Sequence, residues 1–298
     1  MSVFEGVFPA MVTPLNEDLK IDETGLRAEV DYLIGAHVHG LVALGSSGEF
    51  PYITVDEKKR VIDIVIDQAN SRVPVVVCTS STGTDEVILL SLYARDRGAD
   101  AVMINLPLYY PLTDADVFNH YRAVSKAVDL PILLYDFPHL THLDMSLELI
   151  SRLSYLDNVV GIKETGPIEK AGEILRTQKI EPFSVFTGIS FVFLQLLKMG
   201  GAGVICLIPC VVPGEVVAIY ESYRSGDIEK ASQSQEKILP LVSMVAVPVQ
   251  PPMVKEAMRL LGLPIQPYVK SPLPQTTEAQ REIVRKSLID TGLIEGQG

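Results

Sequence analysis

Gly98-Ala99-Asp100-Ala101-Val102-Met103-Ile104-Asn105 contains the joint from which the fold is read. Residues 86–97 before it carry helical spacing, and a glycine suits the left-handed residue that closes a helix. The run after it is short, apolar and made of residues that favour strands. The same joint recurs twice. Gly35-Ala36 leads into a run over 40–44, and Gly201-Ala202, closing a helix predicted over 191–199, leads into 203–207.

Working outward, eight such runs appear, at 8–13, 40–44, 73–78, 101–105, 131–135, 159–163, 183–186 and 203–207. Strands alternating with helices imply a parallel sheet. The runs are almost continuously apolar, as strands buried on both faces must be. Thr54-Val55-Asp56-Glu57 has the form of a capping box opening one of the intervening helices. Eight units within about 225 residues fit an α/β protein of the (β/α)8 TIM-barrel class, with a doubly wound sheet as the alternative. Beyond Ser225-Gly226 the strand signal ends, and 227–239, 252–261 and 277–291 read as helices joined by proline-rich segments. Residues 1–225 are therefore assigned to the barrel, and 226–298 to a C-terminal helical appendage packed on it as one structural unit.

Bulk properties narrow the function. The 298 residues are 47% hydrophobic, enough for a large core. A formal charge of −12 argues against nucleic acid, because a phosphate backbone needs a basic face. The three cysteines, Cys78, Cys206 and Cys210, are an odd number set in apolar runs, which suits buried thiols better than a disulfide framework. The first residues lack the basic and apolar regions of a signal peptide. The longest uncharged stretch, 238–254, holds Pro240, Pro248, Pro251 and Pro252 and would not cross a membrane as one helix. A cytoplasmic protein with no membrane partner is expected.

In a barrel, chemistry belongs at the C-terminal ends of the strands. Strand six ends in Lys163 after Val159-Val160-Gly161-Ile162, and strand five ends in Tyr135-Asp136. An apolar strand lifts the lysine stem into the barrel mouth, where low polarity disfavours the ammonium form. Only the neutral amine attacks a carbonyl, so such a lysine is a natural Schiff-base nucleophile. A strand-end lysine can equally snorkel to solvent. Tyr135 can pass protons or simply fill the mouth. Gly45-Ser46-Ser47-Gly48 offers backbone N–H groups and hydroxyls suited to a carboxylate, or is an ordinary glycine-rich loop. His139 and His142 lie near Asp136 and Asp144, yet no helix is evident there to align metal ligands, so a polar loop is expected and no metal.

Taken together, five motifs resemble the dihydrodipicolinate synthase/N-acetylneuraminate lyase family of pyruvate-dependent class I aldolases. They are Pro9-Ala10-Met11-Val12-Thr13-Pro14, Gly45-Ser46-Ser47-Gly48-Glu49, Pro107-Leu108-Tyr109-Tyr110-Pro111, Tyr135-Asp136-Phe137-Pro138 and Gly161-Ile162-Lys163-Glu164-Thr165. The resemblance spans nearly the whole chain. It implies that Lys163 attacks the C2 carbonyl of pyruvate or another 2-keto acid, with no cofactor beyond the imine. It implies that Tyr135 shuttles protons, that Ser46 relays them, and that the N–H groups of Ser46 and Ser47 hold the carboxylate. Tyr109 would complete the relay from a neighbouring subunit, which implies a homo-oligomer, in this family usually a tetramer built as a dimer of dimers. Thr165, Gly188 and Ile205 would line the substrate pocket.

The departures from the family pattern separate its branches. Synthases carry an arginine for the second substrate's carboxylate where this chain has Leu140, and no arginine lies between Pro131 and Ser151. Sialic acid lyases carry an acidic pair where this chain has Ile189-Ser190 after Gly188. Thr165, Leu140-Thr141 and Val254-Lys255-Glu256-Ala257 resemble the 2-keto-3-deoxy-sugar-acid aldolases. Asp136 replaces an asparagine and His142 a common glycine. The expected activity is a reversible aldolase joining pyruvate and an aldehyde. Dihydrodipicolinate synthase is the alternative enzyme, a dehydratase on the same imine is related, and a non-catalytic keto-acid sensor is the alternative of another class.

Overall fold

The computed structural model describes residues 4–296. Eight strands alternate with helices: β1 (Gly6–Pro9), β2 (Leu41–Ala43), β3 (Val75–Cys78), β4 (Ala101–Asn105), β5 (Ile132–Asp136), β6 (Val159–Glu164), β7 (Ser184–Thr187) and β8 (Gly203–Cys206). They pair in parallel in the order β1-β8-β7-β6-β5-β4-β3-β2. The remaining gap is bridged where Ala10 pairs with Val42 and the Met11 N–H donates to the Val42 carbonyl at 2.9 Å. This is a (β/α)8 barrel. Every strand residue is buried, which is why the strands read as almost continuous apolar runs, broken mainly at their tips.

Two joints behave as the sequence predicts. Gly98 closes its helix at φ 97°, and before β8 the left-handed residue is Gly200 at φ 93°, one position ahead of the Gly201 of the joint. The third differs. After the helix Glu23–Gly35 the left-handed residue is His37 (φ 63°), so the glycine does not supply the turn. Gly203 serves another need: a Cβ there would sit 2.0 Å from the Gly6 carbonyl oxygen, at the seam of β1 and β8.

The first strand is shorter and earlier than the expected 8–13. Past Pro9 the chain leaves the ladder and its N–H groups find three separate acceptors. Ala10 donates to the Cys206 carbonyl (2.7 Å), Met11 to Val42, and Val12 to the Glu29 carboxylate (3.0 Å). The helix expected over 191–199 divides into a turn, Ser190–Val192, and a helix, Phe193–Lys198. A helical turn, Pro138–Thr141, occupies the stretch read as a loop, closed by His142 at φ 56°. A left-handed residue at that position accounts for the glycine common there in the family pattern.

Beyond Ser225 four helices follow: Ile228–Lys237, Val242–Val245, Pro251–Leu260 and Glu278–Asp290. Their apolar residues Met253, Ala257, Val284 and Leu288 share one core with Val204 and Phe193 of the barrel.

Candidate active site

Strands β5 and β6 set the geometry. An irregularity between Ile132 and Leu133 leaves one extra residue in β6. Above it the ladder is regular, pairing Leu133 with Gly161, Tyr135 with Lys163 and Asp136 with Glu164. Register partners in a parallel sheet share a face, and faces alternate along the strand. Tyr135 and Lys163 therefore point to one side, Asp136 and Glu164 to the other.

On the inner side, the Lys163 Nζ lies 3.9 Å from the centre of the Tyr135 ring. Lys163 is 4% exposed and Tyr135 1%. The Tyr135 hydroxyl is 3.2 Å from Ser46 Oγ, so nucleophile, phenol and serine form a continuous chain. A cavity of about 350 Å³ opens over them, walled by Ser46, Ser47, Tyr135, Lys163, Thr165 and Gly188 among others. Thr165 Oγ1 is buried and has no hydrogen-bond partner. Gly188 carries no side chain for a steric reason, since a Cβ would meet Thr165 Oγ1 at 2.2 Å.

The Ser46–Gly48 segment is a single tight turn between two left-handed residues, Leu44 (φ 60°) and Glu49 (φ 60°). Non-glycine residues in that region are strained and need support. The support is a buried ion pair. Glu49 Oε1 meets Lys255 Nζ at 2.5 Å, both side chains fully buried. Lys255 also donates to the Tyr268 carbonyl (2.7 Å), and the Lys270 N–H donates to Glu49 Oε2 (2.8 Å). Burial pulls the Lys255 ammonium below its usual value while Glu49 opposes it. The helix Pro251–Leu260 is thus bolted to the serine turn.

On the outer side three carboxylates face one ammonium. Lys170 from the helix Ile168–Thr177 meets Asp136 at 2.5 Å, Glu164 at 3.4 Å, and also Asp144. Burial, then the charge of Glu164, pushes the Asp136 carboxyl up to about 7. Burial raises Glu164 as well, against the pull of Lys170. A further carboxyl, Glu29, is pushed by burial up to about 8.

Five of the residues singled out from the sequence therefore converge with Thr165 and Gly188 alongside: Lys163, Tyr135, Ser46 and Ser47 line the cavity, and His139 stands at its edge. Ile205 is fully buried in β8, and the cavity wall on that side is formed by Cys206, Leu207 and Ile208. Tyr109 is not among the cavity residues of the single chain. It is 87% exposed, at φ 97°, with its ring edge-on to Tyr110. His142 is exposed and lies outside the cavity walls. Among the described residues no group of three His, Cys, Asp or Glu is placed to hold a metal ion, and no helix is long and apolar enough to cross a membrane. Sequence reasoning missed Phe137 and the wall contributed by Val242, Val245, Ala246 and Gln250. Those four belong to segments too short and proline-broken to show a period.

A buried amine, a phenol and a hydroxyl converging at the strand tips of a (β/α)8 barrel define a carbon–carbon lyase of the imine-forming, class I aldolase type. The dihydrodipicolinate synthetase family matches the chain over residues 3–290, and the protein belongs to it. Members of this family act on pyruvate through an imine on a lysine and need no external cofactor. The 4-hydroxy-tetrahydrodipicolinate synthase of Methanoculleus marisnigri is 35% identical over 293 residues, covering 97% of this chain and 100% of its own. That of Methanocaldococcus jannaschii is 33% identical, covering 98% and 100%. Among solved structures, YagE, a prophage protein of this family from E. coli K12 in complex with pyruvate, aligns with a TM-score of 0.95. It is 30% identical, over 98% of this chain and 100% of that one. The chloride-inhibited dihydrodipicolinate synthase from Acinetobacter baumannii, complexed with pyruvate, aligns at 0.94 with 30% identity and the same coverage.

Proposed function

We propose that the protein is a reversible aldolase that cleaves a 2-keto-3-deoxy acid to pyruvate and an aldehyde through an imine on Lys163. The Lys163 amine adds to the C2 ketone, and loss of water from the carbinolamine gives the iminium. Tyr135 gives its proton to the departing carbinolamine hydroxyl. The phenolate oxygen so formed takes the C4 hydroxyl proton as the C3–C4 bond breaks, while the bond's electrons move into the iminium to leave an enamine. The aldehyde departs. Protonation at C3 and hydrolysis then release pyruvate and free Lys163. Ser46, in contact with the Tyr135 hydroxyl, relays the proton, and the N–H groups of Ser46 and Ser47 face the keto acid's carboxylate. Thr165 lines the cavity beside Gly188 and would contact the substrate chain there. Tyr109, exposed on a left-handed bend, suits the relay role across a subunit contact in a homotetramer working in the cytoplasm.

The observation that carries this reading over the synthase reading is the absence of a cation for a second carboxylate. Apart from Lys163, no lysine or arginine among the described residues walls the cavity, and the position expected to carry an arginine is Leu140. A buried carboxylate without a cationic partner is costly. One observation favours the synthase: His139 lines the cavity, and a ring N–H of it would donate to a carboxylate.

Borohydride reduction in the presence of pyruvate, followed by peptide mass analysis, tests the core of the proposal. The expected result is a stable adduct on Lys163 that Lys163→Arg abolishes together with turnover. Reversible pyruvate binding with no adduct would make the protein a sensor. Turnover of aspartate semialdehyde in preference to every keto-deoxy acid would make it a synthase.

A further inference from the structure

We infer that the aldehyde half of the substrate is apolar, an aryl or unbranched alkyl aldehyde whose tail enters a second cavity beside Lys163. The inference rests on the aldolase function proposed above. It starts from a space of about 310 Å³ that shares Ser46, Ser47, Phe137, His139 and Gln250 with the Lys163 cavity. The two adjoin at these shared residues as compartments of one mouth. The aldehyde carbon must sit over the enamine, so whatever is attached to it has to leave the Lys163 compartment. This annex is the adjoining room.

Its chemistry is set by its walls. Past the shared rim stand Phe50, Leu108, Leu140, Val247 and Val249, with Pro51, Pro248 and Pro251 between them. The prolines present ring carbons and have no N–H to donate. The one charged residue is Glu49, whose two oxygens are already held by Lys255 and by the Lys270 N–H. No arginine or lysine walls the annex. A carboxylated tail would be stripped of water there with no lysine or arginine to receive it, and little beyond the His139 ring at the shared rim to donate to it. A polyhydroxylated tail would exchange water for few partners, since Tyr52, Asn105 and Gln250 add little to the rim serines. An aryl or alkyl tail loses nothing polar and gains contact with the ring of Phe137. That ring stands at the junction, stacked on Tyr135 with centroids 6.1 Å apart.

Condensation of pyruvate with benzaldehyde, hexanal, glyceraldehyde and aspartate semialdehyde tests the inference, with borohydride trapping on Lys163 run in parallel. The two apolar aldehydes are expected to exceed the other two by about tenfold or more in kcat/KM. Val247→Lys, which places an ammonium in the annex, is expected to remove most of that advantage, and pyruvate trapping reports that the variant is folded. Preferential turnover of aspartate semialdehyde would overturn both readings, whereas equal or better turnover of glyceraldehyde would overturn the inference and leave the aldolase reading intact. So would an intact pyruvate adduct with no condensation on any of the four. Absence of a pyruvate adduct in the parent protein would end both.

Discussion

Replacing Lys255 by methionine keeps the side chain's apolar stem to within one atom and removes one charge. In the parent, that ammonium sits 2.5 Å from Glu49 with both side chains fully buried. In the variant, Glu49 keeps a single backbone donor, the Lys270 N–H at 2.8 Å. Removing one partner of a buried pair costs about 3–5 kcal/mol, because the survivor's desolvation is no longer offset. In a chain of this size each kcal/mol moves the melting temperature by about 2–4 °C. Lys255→Met is therefore expected to lower Tm by about 6–20 °C in calorimetry or circular dichroism at neutral pH. The double variant Glu49→Leu with Lys255→Met leaves no buried charge and should recover much of that loss, a coupling of about 0.5–3 kcal/mol. Function should follow the same logic. Glu49 closes the serine turn as its left-handed end, so the single variant should raise KM for pyruvate more than it lowers kcat. A single variant within about 2 °C of the parent, or a double variant whose loss is the plain sum of both singles, would refute the reasoning.

Tyr135→Phe keeps the ring against Lys163 and removes the proton carrier. Turnover should fall by about 10²–10⁴, while a slower pyruvate adduct is still trapped by borohydride. The outer carboxylates give a pH signature. Asp136 holds its proton up to about 7 in the folded protein, against an ordinary value of 3.8, so the native state binds a proton the unfolded chain has lost. Stability then falls as pH rises through that window. Asp136→Asn should flatten the decline in Tm between about pH 4 and 7, with a remaining slope from Glu29, raised to about 8 in the same sense. Parallel Tm–pH curves for parent and variant would exclude Asp136 as the source.

Strands β2 to β8 were legible because a barrel buries both faces of each strand and so selects continuous apolar runs. The first was misplaced for the same reason. Ala10-Met11-Val12 is as apolar as a strand, but its N–H groups serve β8, β2 and a helix in turn. Lys163 and Tyr135 were readable as strand tips, and their contact follows from the register. The Lys255–Glu49 pair was not readable, since 206 residues separate the two and no local pattern marks either as buried. Lys170 was hidden likewise: on its helix it looks like any solvated lysine until Asp136 and Glu164 close over it. The annex wall at Val247 and Val249 comes from a proline-broken connector, whose place is fixed by packing rather than by periodicity.

The unpaired residue near the start of β6 gives that strand one tolerant end and one strict end. It acts as slack. A chain one residue shorter at Val160 could close the irregularity and still deliver the amine opposite Tyr135, because the pairing from Leu133 upward would be untouched. An insertion between Gly161 and Lys163 has no such buffer. It would swing the amine out to the helical layer and aim a carboxylate at the substrate, abolishing the chemistry in a chain that had lost no lysine.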